Sequence, residues 1–105
     1  MSGKLVGDAG RYAPEDLTVA ERFVLVALAE SARDNTRVSR TNSRAIADFT
    51  GLALGTVKNA LSELARRSLI QPQGVARRGH AQDYRIAHLE AHHRAATVPR
   101  EDPAA

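Results

Sequence analysis

The chain contains no cysteine and no tryptophan, and its aromatic residues, two Phe and two Tyr, make up only 4% of it. The lack of cysteine excludes disulfides, thiolate metal sites and a cysteine nucleophile, and it is compatible with a reducing compartment. Because aromatics are so few, the hydrophobic fraction of 43% must come mainly from Leu, Val, Ile and Ala. Such a composition favours helices packed on a small sheet.

Long apolar runs are also missing. No stretch approaches the roughly 18 apolar residues of a membrane span, and the first ten residues, MSGKLVGDAG, lack the basic-then-apolar order of a secretory signal. We therefore expect a cytoplasmic protein that does not associate with membranes. The length of 105 residues predicts one domain with a single modest core.

Catalytic motifs are absent from the sequence too. It has no GxSxG motif, no glycine-rich phosphate loop and no isolated pair of carboxylates that we expect to be buried. The segment HLEAHH places His88 and His92 four residues apart, but Glu90 does not follow the first histidine as the HExxH order of a zinc protease requires. We interpret these histidines as structural or solvated, and we expect no enzyme activity, metal, cofactor or small-molecule ligand.

The net charge of +3 is distributed unevenly along the chain. Residues 1–36 carry four basic and six acidic side chains, whereas residues 37–85 carry nine basic and three acidic ones. A concentrated basic region is typical of a surface that binds nucleic acid, although a solvated basic face has the same composition.

The first third of the chain predicts an arm followed by a helix. Residues 1–16 have no sustained period and predict an N-terminal arm, with a short strand over residues 4–6. Thr18 and Glu21 match the capping box, so a helix begins there and continues to about Arg33. Its middle, residues 23–29, is apolar on every side and must be covered all round. The cover is the arm, the C-terminal segment or a second subunit; a homodimer through residues 19–33 would place Val24 or Val26 at its interface.

The centre of the chain predicts a short strand and two further helices. A β-prone piece around Val38 precedes a helix that has Asn42 as its N-cap and ends at Gly51. After three residues a third helix follows. One face of it is apolar at the 3.6-residue period and carries Val57, Ala60, Leu61, Leu64 and Ala65.

The last third predicts two strands around a basic loop. Strands begin near Leu69 and Gln82, and the segment between them, GVARRGHA, has the composition of a basic loop. Residues 88–105 predict a short helix and a disordered tail.

This order of elements is that of a winged helix-turn-helix, an α+β fold with three helices, a small antiparallel sheet and a basic wing. From residue 17 to 86 the chain resembles the compact bacterial winged-helix domains of transcriptional regulators and of plasmid and phage replication proteins. The matching segments are LTVAERFVLVALAE, AIADFTGL, GTVKNALSEL and RRSLI. We accordingly assign residues 17–87 to a DNA-binding domain. One departure is Ala53, since such domains usually have Ser or Thr as the cap of the recognition helix; Ala weakens that end by about 1 kcal/mol or leaves its amides to a phosphate.

The resemblance implies a recognition helix that lies in the major groove of double-stranded DNA. Small residues such as Gly55 allow the backbone to approach DNA, the amide of Asn59 can pair with adenine, and Lys58 can reach guanine or a phosphate. The wing would lie in the minor groove or on the backbone. The predicted DNA-binding residues are Ser43, Arg44, Leu54, Gly55, Thr56, Lys58, Asn59, Ser62, Arg66, Arg77, Arg78 and His80.

Three functions remain open at this point. The first is a small transcriptional regulator that binds an operator in a sequence-specific manner. The second is a protein for the replication or maintenance of a mobile element, which would bind origin repeats with the same domain. The third is a winged-helix module that binds a protein through its apolar first helix and Phe49, with the basic face incidental.

Overall fold

The computed structural model describes residues 3–74 and 82–97. Within these ranges the fold is α+β and mostly helical, with five helices and one three-stranded antiparallel sheet. In chain order the elements are α1 (Gly3–Tyr12), α2 (Val19–Ser31), β1 (Val38–Ser39), α3 (Ser43–Thr50), α4 (Leu54–Arg66), β2 (Ile70–Gln73), β3 (Asp83–Ile86) and α5 (Leu89–Thr97).

The N-terminal segment is helical, so the strand predicted over residues 4–6 is wrong. Leu5 and Ala9 lie one turn apart on α1 and are buried where this helix packs on α2. The three glycines of α1 lower its helix propensity, so the local sequence predicts an arm and not a helix. Burial of one apolar stripe against α2 outweighs that penalty, because tertiary packing supplies most of the stability of a short helix.

The N-terminus of α2 is fixed by the capping box that the sequence predicts. The Thr18 hydroxyl accepts a hydrogen bond from the Glu21 amide at 3.1 Å, and the Thr18 amide donates to the Glu21 carboxylate at 3.0 Å. The helix ends at Ser31, two residues before the predicted Arg33. There Ala32 turns into extended backbone and forms a β-bridge with Ser39.

The apolar band of α2 is largely covered within the chain. Helices α1, α3 and α4 and the sheet all pack on α2. Val24 is completely buried and lies at no surface that a second subunit could reach, whereas Val26 is half-buried and Phe23 is 41% exposed. Intramolecular packing thus accounts for most of the band. Dimerisation stays a prediction. On α2, its interface would have to consist of Phe23, Val26 and their exposed neighbours.

Helices α3 and α4 are joined by three residues and pack on each other and on α2. The Asn42 side chain accepts a hydrogen bond from the Ala45 amide at 2.7 Å, and Gly51 ends α3 with φ of 76°, as the sequence predicts. A positive φ is the conformation for which glycine is suited. The buried face of α4 consists of Val57, Ala60, Leu61 and Leu64, with Ala65 half-buried beside them.

The sheet has the order β1-β3-β2, with both pairs antiparallel. Ile70 of β2 pairs with Ile86 of β3, and both side chains face the core. Pro72 lies on β2, which is an edge strand, where the missing amide hydrogen costs no ladder bond. Both strands that the sequence predicts after Leu69 are therefore confirmed.

The predicted C-terminal helix is present as α5, which packs on α1. Leu89 is buried in the common core, and the ring of His93 lies 5.5 Å from that of Tyr12. The predicted wing residues and the tail from residue 98 lie outside the described ranges.

Candidate nucleic-acid interface

The N-terminus of α4 carries no side-chain cap. Ala53 occupies the N-cap with extended backbone, and no side chain accepts a hydrogen bond there. The first amides of a helix have no partner inside it, so those of Leu54, Gly55 and Thr56 remain open to an external acceptor. The helix dipole also gives this end of α4 a partial positive charge.

Gly55 and Thr56 are exposed at this end, and Leu54 is half-buried. A Cβ built on Gly55 would meet nothing within 4 Å. Packing inside the chain therefore gives no reason for a glycine, although glycine in a helix costs up to about 1 kcal/mol relative to alanine. A glycine would be needed here if another molecule closely approached the backbone.

The outward face of α4 is polar, and two of its side chains have no hydrogen-bond or ion-pair partner among the described residues. Lys58, Asn59 and Ser62 are exposed on successive turns, opposite the buried face of the helix. In the part of the chain that the structure describes, Lys58 and Asn59 form no side-chain hydrogen bond or ion pair. The ammonium group of Lys58 and the side-chain amide of Asn59 are thus available to bind another molecule.

Arg66 is on the same helix but is already paired. Its Nε donates to Oε2 of Glu63 at 2.8 Å, and its Nη2 also contacts that carboxylate. The hydrogen bond from Arg66 holds the pKa of Glu63 below its ordinary value. Arg66 is therefore the weakest of the predicted DNA-binding residues on α4, since a phosphate would have to compete with Glu63.

The start of α3 supplies the second predicted contact region. Arg44 is exposed and forms no ion pair among the described residues, while Ser43 is half-buried. Ser43 lines a cavity of about 170 Å³ together with Leu61 of α4 and Gln82 at the start of β3. The structure thus brings the start of α3 close to the middle of α4 and to the base of the β2–β3 hairpin.

The predicted wing residues Arg77, Arg78 and His80 lie outside the described residues. The base of their loop is described and is closed by Gln82. The side-chain Nε2 of Gln82 donates to the backbone carbonyl oxygen of Gln73 at 2.9 Å and to that of Asp83 at 3.1 Å. The sequence does not predict this role, because a glutamine next to a strand start has no distinctive pattern.

An apolar patch lies on the outside of α2 and α3. Phe23 and Phe49 pack edge to face with ring centroids 6.4 Å apart, although 41% and 52% of their surfaces are exposed. Val19, one turn before Phe23, is 83% exposed. We refer to Val19, Phe23 and Phe49 as the phenylalanine patch.

Among the described residues no group of three or more His, Asp or Glu side chains is placed to hold a metal ion. Glu90 pairs with Arg94 at 2.7 Å, and Nδ1 of His92 is buried without a hydrogen-bond partner. No helix in residues 3–74 and 82–97 has the length and apolar character needed to cross a bilayer.

Comparison with known proteins adds no relative to this picture: no family model, curated protein or solved structure matches the chain.

Proposed function

We propose that the chain is a sequence-specific double-stranded DNA-binding protein with a winged helix-turn-helix fold. In this proposal α4 lies in the major groove, α3 holds the backbone, and the loop between β2 and β3 is the wing. The protein would bind DNA without catalysing a reaction on it.

The observation that carries the proposal is the surface of α4. This helix follows α3 after three residues, and its N-terminus has no side-chain cap. One exposed face carries Gly55, which packing within the chain does not explain, and the side chains of Lys58 and Asn59, which have no partner among the described residues. A helix that enters the major groove needs small residues at its N-terminus and short polar side chains on its first turns. An Asn amide can bind adenine through two hydrogen bonds, and an ammonium group can bind guanine.

The arrangement of elements supports the fold part of the proposal. The order α2, β1, α3, α4, β2, β3 and the antiparallel sheet β1-β3-β2 agree with a three-helix domain that carries a hairpin wing. Charge supports the partner: between residues 37 and 85 basic side chains outnumber acidic ones by nine to three. Of the three carboxylates, Glu63 and Asp83 are paired with Arg66 and Arg40.

Selection of bound sites from random duplexes tests this function. We expect a consensus sequence to emerge, and the selected duplex to bind about a thousandfold or more tighter than a scrambled one at physiological salt. The affinity should fall steeply with salt, because phosphate contacts release counterions. Failure to enrich any sequence would contradict specific readout.

Within this proposal the cellular role has two forms, a small bacterial transcriptional regulator or a replication or maintenance protein of a mobile element. The selected sequence distinguishes them. A single inverted repeat beside a promoter supports the regulator, whereas tandem copies at an origin support the replication protein.

One observation favours a rival function, a protein-interaction module. The phenylalanine patch exposes both phenylalanines of the chain next to each other. Exposed aromatic side chains are common at protein interfaces. A protein that elutes from a DNA column without dependence on salt, and that enriches no duplex, would support this rival and exclude DNA binding.

A further inference from the structure

A pocket lies on the outer side of the sheet, between the C-terminal end of α4 and strands β2 and β3. It is open to solvent and has a volume of about 470 Å³. This volume is within the range of small-molecule sites, roughly 300 to 1,000 Å³. We call it the sheet pocket; the residues that line it are Arg37, Ala65, Ser68, Ile70, Gln71, Pro72, Arg85, Ala87 and His88.

The polar residues that line the sheet pocket include two arginines. Arg37, Arg85 and His88 line it, and none of the described residues that line it is acidic. A smaller neighbouring cavity of about 150 Å³ shares Arg37 and His88 and is lined by acidic side chains. The acidic residues of the neighbouring cavity are Asp8, Asp34 and Glu90.

Both guanidinium groups are held in place by the protein. Nη2 of Arg85 donates to Oε1 of Gln71 at 2.9 Å across the β2–β3 pair. Nε of Arg37 donates to the carbonyl oxygen of Ile86 at 2.9 Å. A guanidinium has five N–H donors, so each arginine is oriented by one bond and keeps further donors for a ligand.

The backbone at the rim adopts a conformation that non-glycine residues avoid. Arg37 has φ of 57° and Ser68 has φ of 61°. These are left-handed values, for which glycine is the ordinary choice. Arg37 joins α2 to β1 and Ser68 follows α4, so each turn brings a polar residue to the pocket wall where a glycine would bring none.

We propose that the sheet pocket binds a small phosphorylated metabolite. Two arginines match the charge of a phosphate monoester, which is close to −2 at neutral pH, and they bind its oxygens through paired N–H donors. The Ser68 hydroxyl is a further donor on the wall. Ala65, Pro72 and Ala87 provide apolar surface for the rest of the ligand. The proposal does not depend on DNA binding.

The test follows amide signals by NMR while inorganic phosphate or adenosine monophosphate is added at millimolar concentration. We expect shifts at Ser68, Gln71 and Ala87 with both probes and none with adenosine, which lacks the phosphoryl group. The R85Q variant should lose about tenfold or more in affinity, because a hydrogen bond to a charged group is removed. R11Q removes an exposed arginine from α1 and should change nothing.

Arg85 is exposed, so R85Q is expected to fold, and circular dichroism checks this. Q71A, which removes the partner of Arg85, should weaken binding less than R85Q does. The proposal is overturned if neither probe shifts these amides or if R85Q binds as tightly as the wild type. It is also overturned if the probes shift only the amides at the start of α4.

Duplex DNA serves as a further arm of the same experiment. If a duplex displaces adenosine monophosphate and R85Q weakens both ligands equally, the pocket holds a phosphate of the DNA backbone and the small-ligand proposal is wrong. If R85Q weakens only the monophosphate, the proposal holds whether or not α4 binds DNA.

Discussion

At the N-terminus of α4, packing within the chain does not explain the identities of Ala53 and Gly55. Ala53 leaves the N-terminus of α4 without a cap, and Gly55 leaves open space above its first turn. Both choices lower stability relative to a Ser cap and an Ala. Their effects coincide at one helix end, where an approaching phosphate or base edge would benefit from free amides and an accessible backbone.

Two substitutions of Ala53 separate stability from DNA binding. Both A53S and A53D supply a side-chain cap and should stabilise the fold by about 1 kcal/mol. A53D also places a negative charge where DNA is proposed to lie and should weaken DNA binding far more than A53S does. Urea unfolding and fluorescence anisotropy with a duplex measure the two effects. Equal DNA affinity of the two variants would mean that DNA does not approach this helix end.

At the other end of α4 an ion pair predicts a pH dependence. The hydrogen bond from Arg67 to Asp16, at 2.6 Å, holds the pKa of Asp16 below its ordinary value. A lowered folded-state pKa contributes stability that is present above the ordinary aspartate pKa and is lost as the pH falls through the lowered value. D16N should therefore be less stable than the wild type at neutral pH, and the difference should vanish in acid. Thermal unfolding across this range checks it, with D48N, an exposed carboxylate on α3, as control.

At the scale of elements, the first helix shows what local sequence patterns miss. Gly7 in α1 is exposed and a Cβ there would meet nothing within 4 Å. G7A should therefore stabilise the protein by about 1 kcal/mol, as measured by urea unfolding. Loss of stability would mean that α1 does not form the described helix.

The position of helix α4 in the fold depends on the packing of its buried face. Leu61 is buried against the rest of the core, and L61A should destabilise the fold by about 2 to 5 kcal/mol. DNA binding should then decline in parallel with the folded fraction, as circular dichroism and anisotropy on the same sample would record. A variant that stays fully folded would show that this face of the helix is misplaced.

The sequence predicts the boundaries of an element best where local chemistry sets them. Thr18 and Glu21 define the start of α2, and Asn42 and Gly51 define both ends of α3, because caps depend on a few adjacent residues. The local sequence does not predict α1, because the stability of this helix comes from packing on α2. The left-handed Arg37 and Ser68, and hence the sheet pocket, have no sequence pattern, since only the surrounding fold imposes that backbone. Residues on the exposed face of α4 were predicted because helical period alone places them there.

At the scale of the whole molecule, the proposed function requires one small domain to distinguish an operator from bulk DNA. A single domain makes few phosphate contacts, so a symmetric dimer on an inverted repeat would raise both affinity and specificity. Because Val24 is buried, such a dimer would have to use the phenylalanine patch and Val26.

Light scattering at micromolar concentration tests the dimer. We expect twice the mass of one chain for the wild type and a monomer for F49E, in which two desolvated charges would face each other. A91E, which adds the same charge on the exposed side of α5, should remain a dimer. A monomeric wild type that binds a single, unrepeated site with full affinity would exclude the dimer.

The most direct test of the account compares N59A with R44A on a selected duplex and on a random one. Asn59 is proposed to read a base, so N59A should cost about 1 to 3 kcal/mol on the selected duplex and little on the random one. Arg44 is proposed to hold the backbone, so R44A should weaken both duplexes alike and reduce the salt slope by about one. If both variants lose affinity uniformly, or neither loses any, α4 is not the helix that reads DNA.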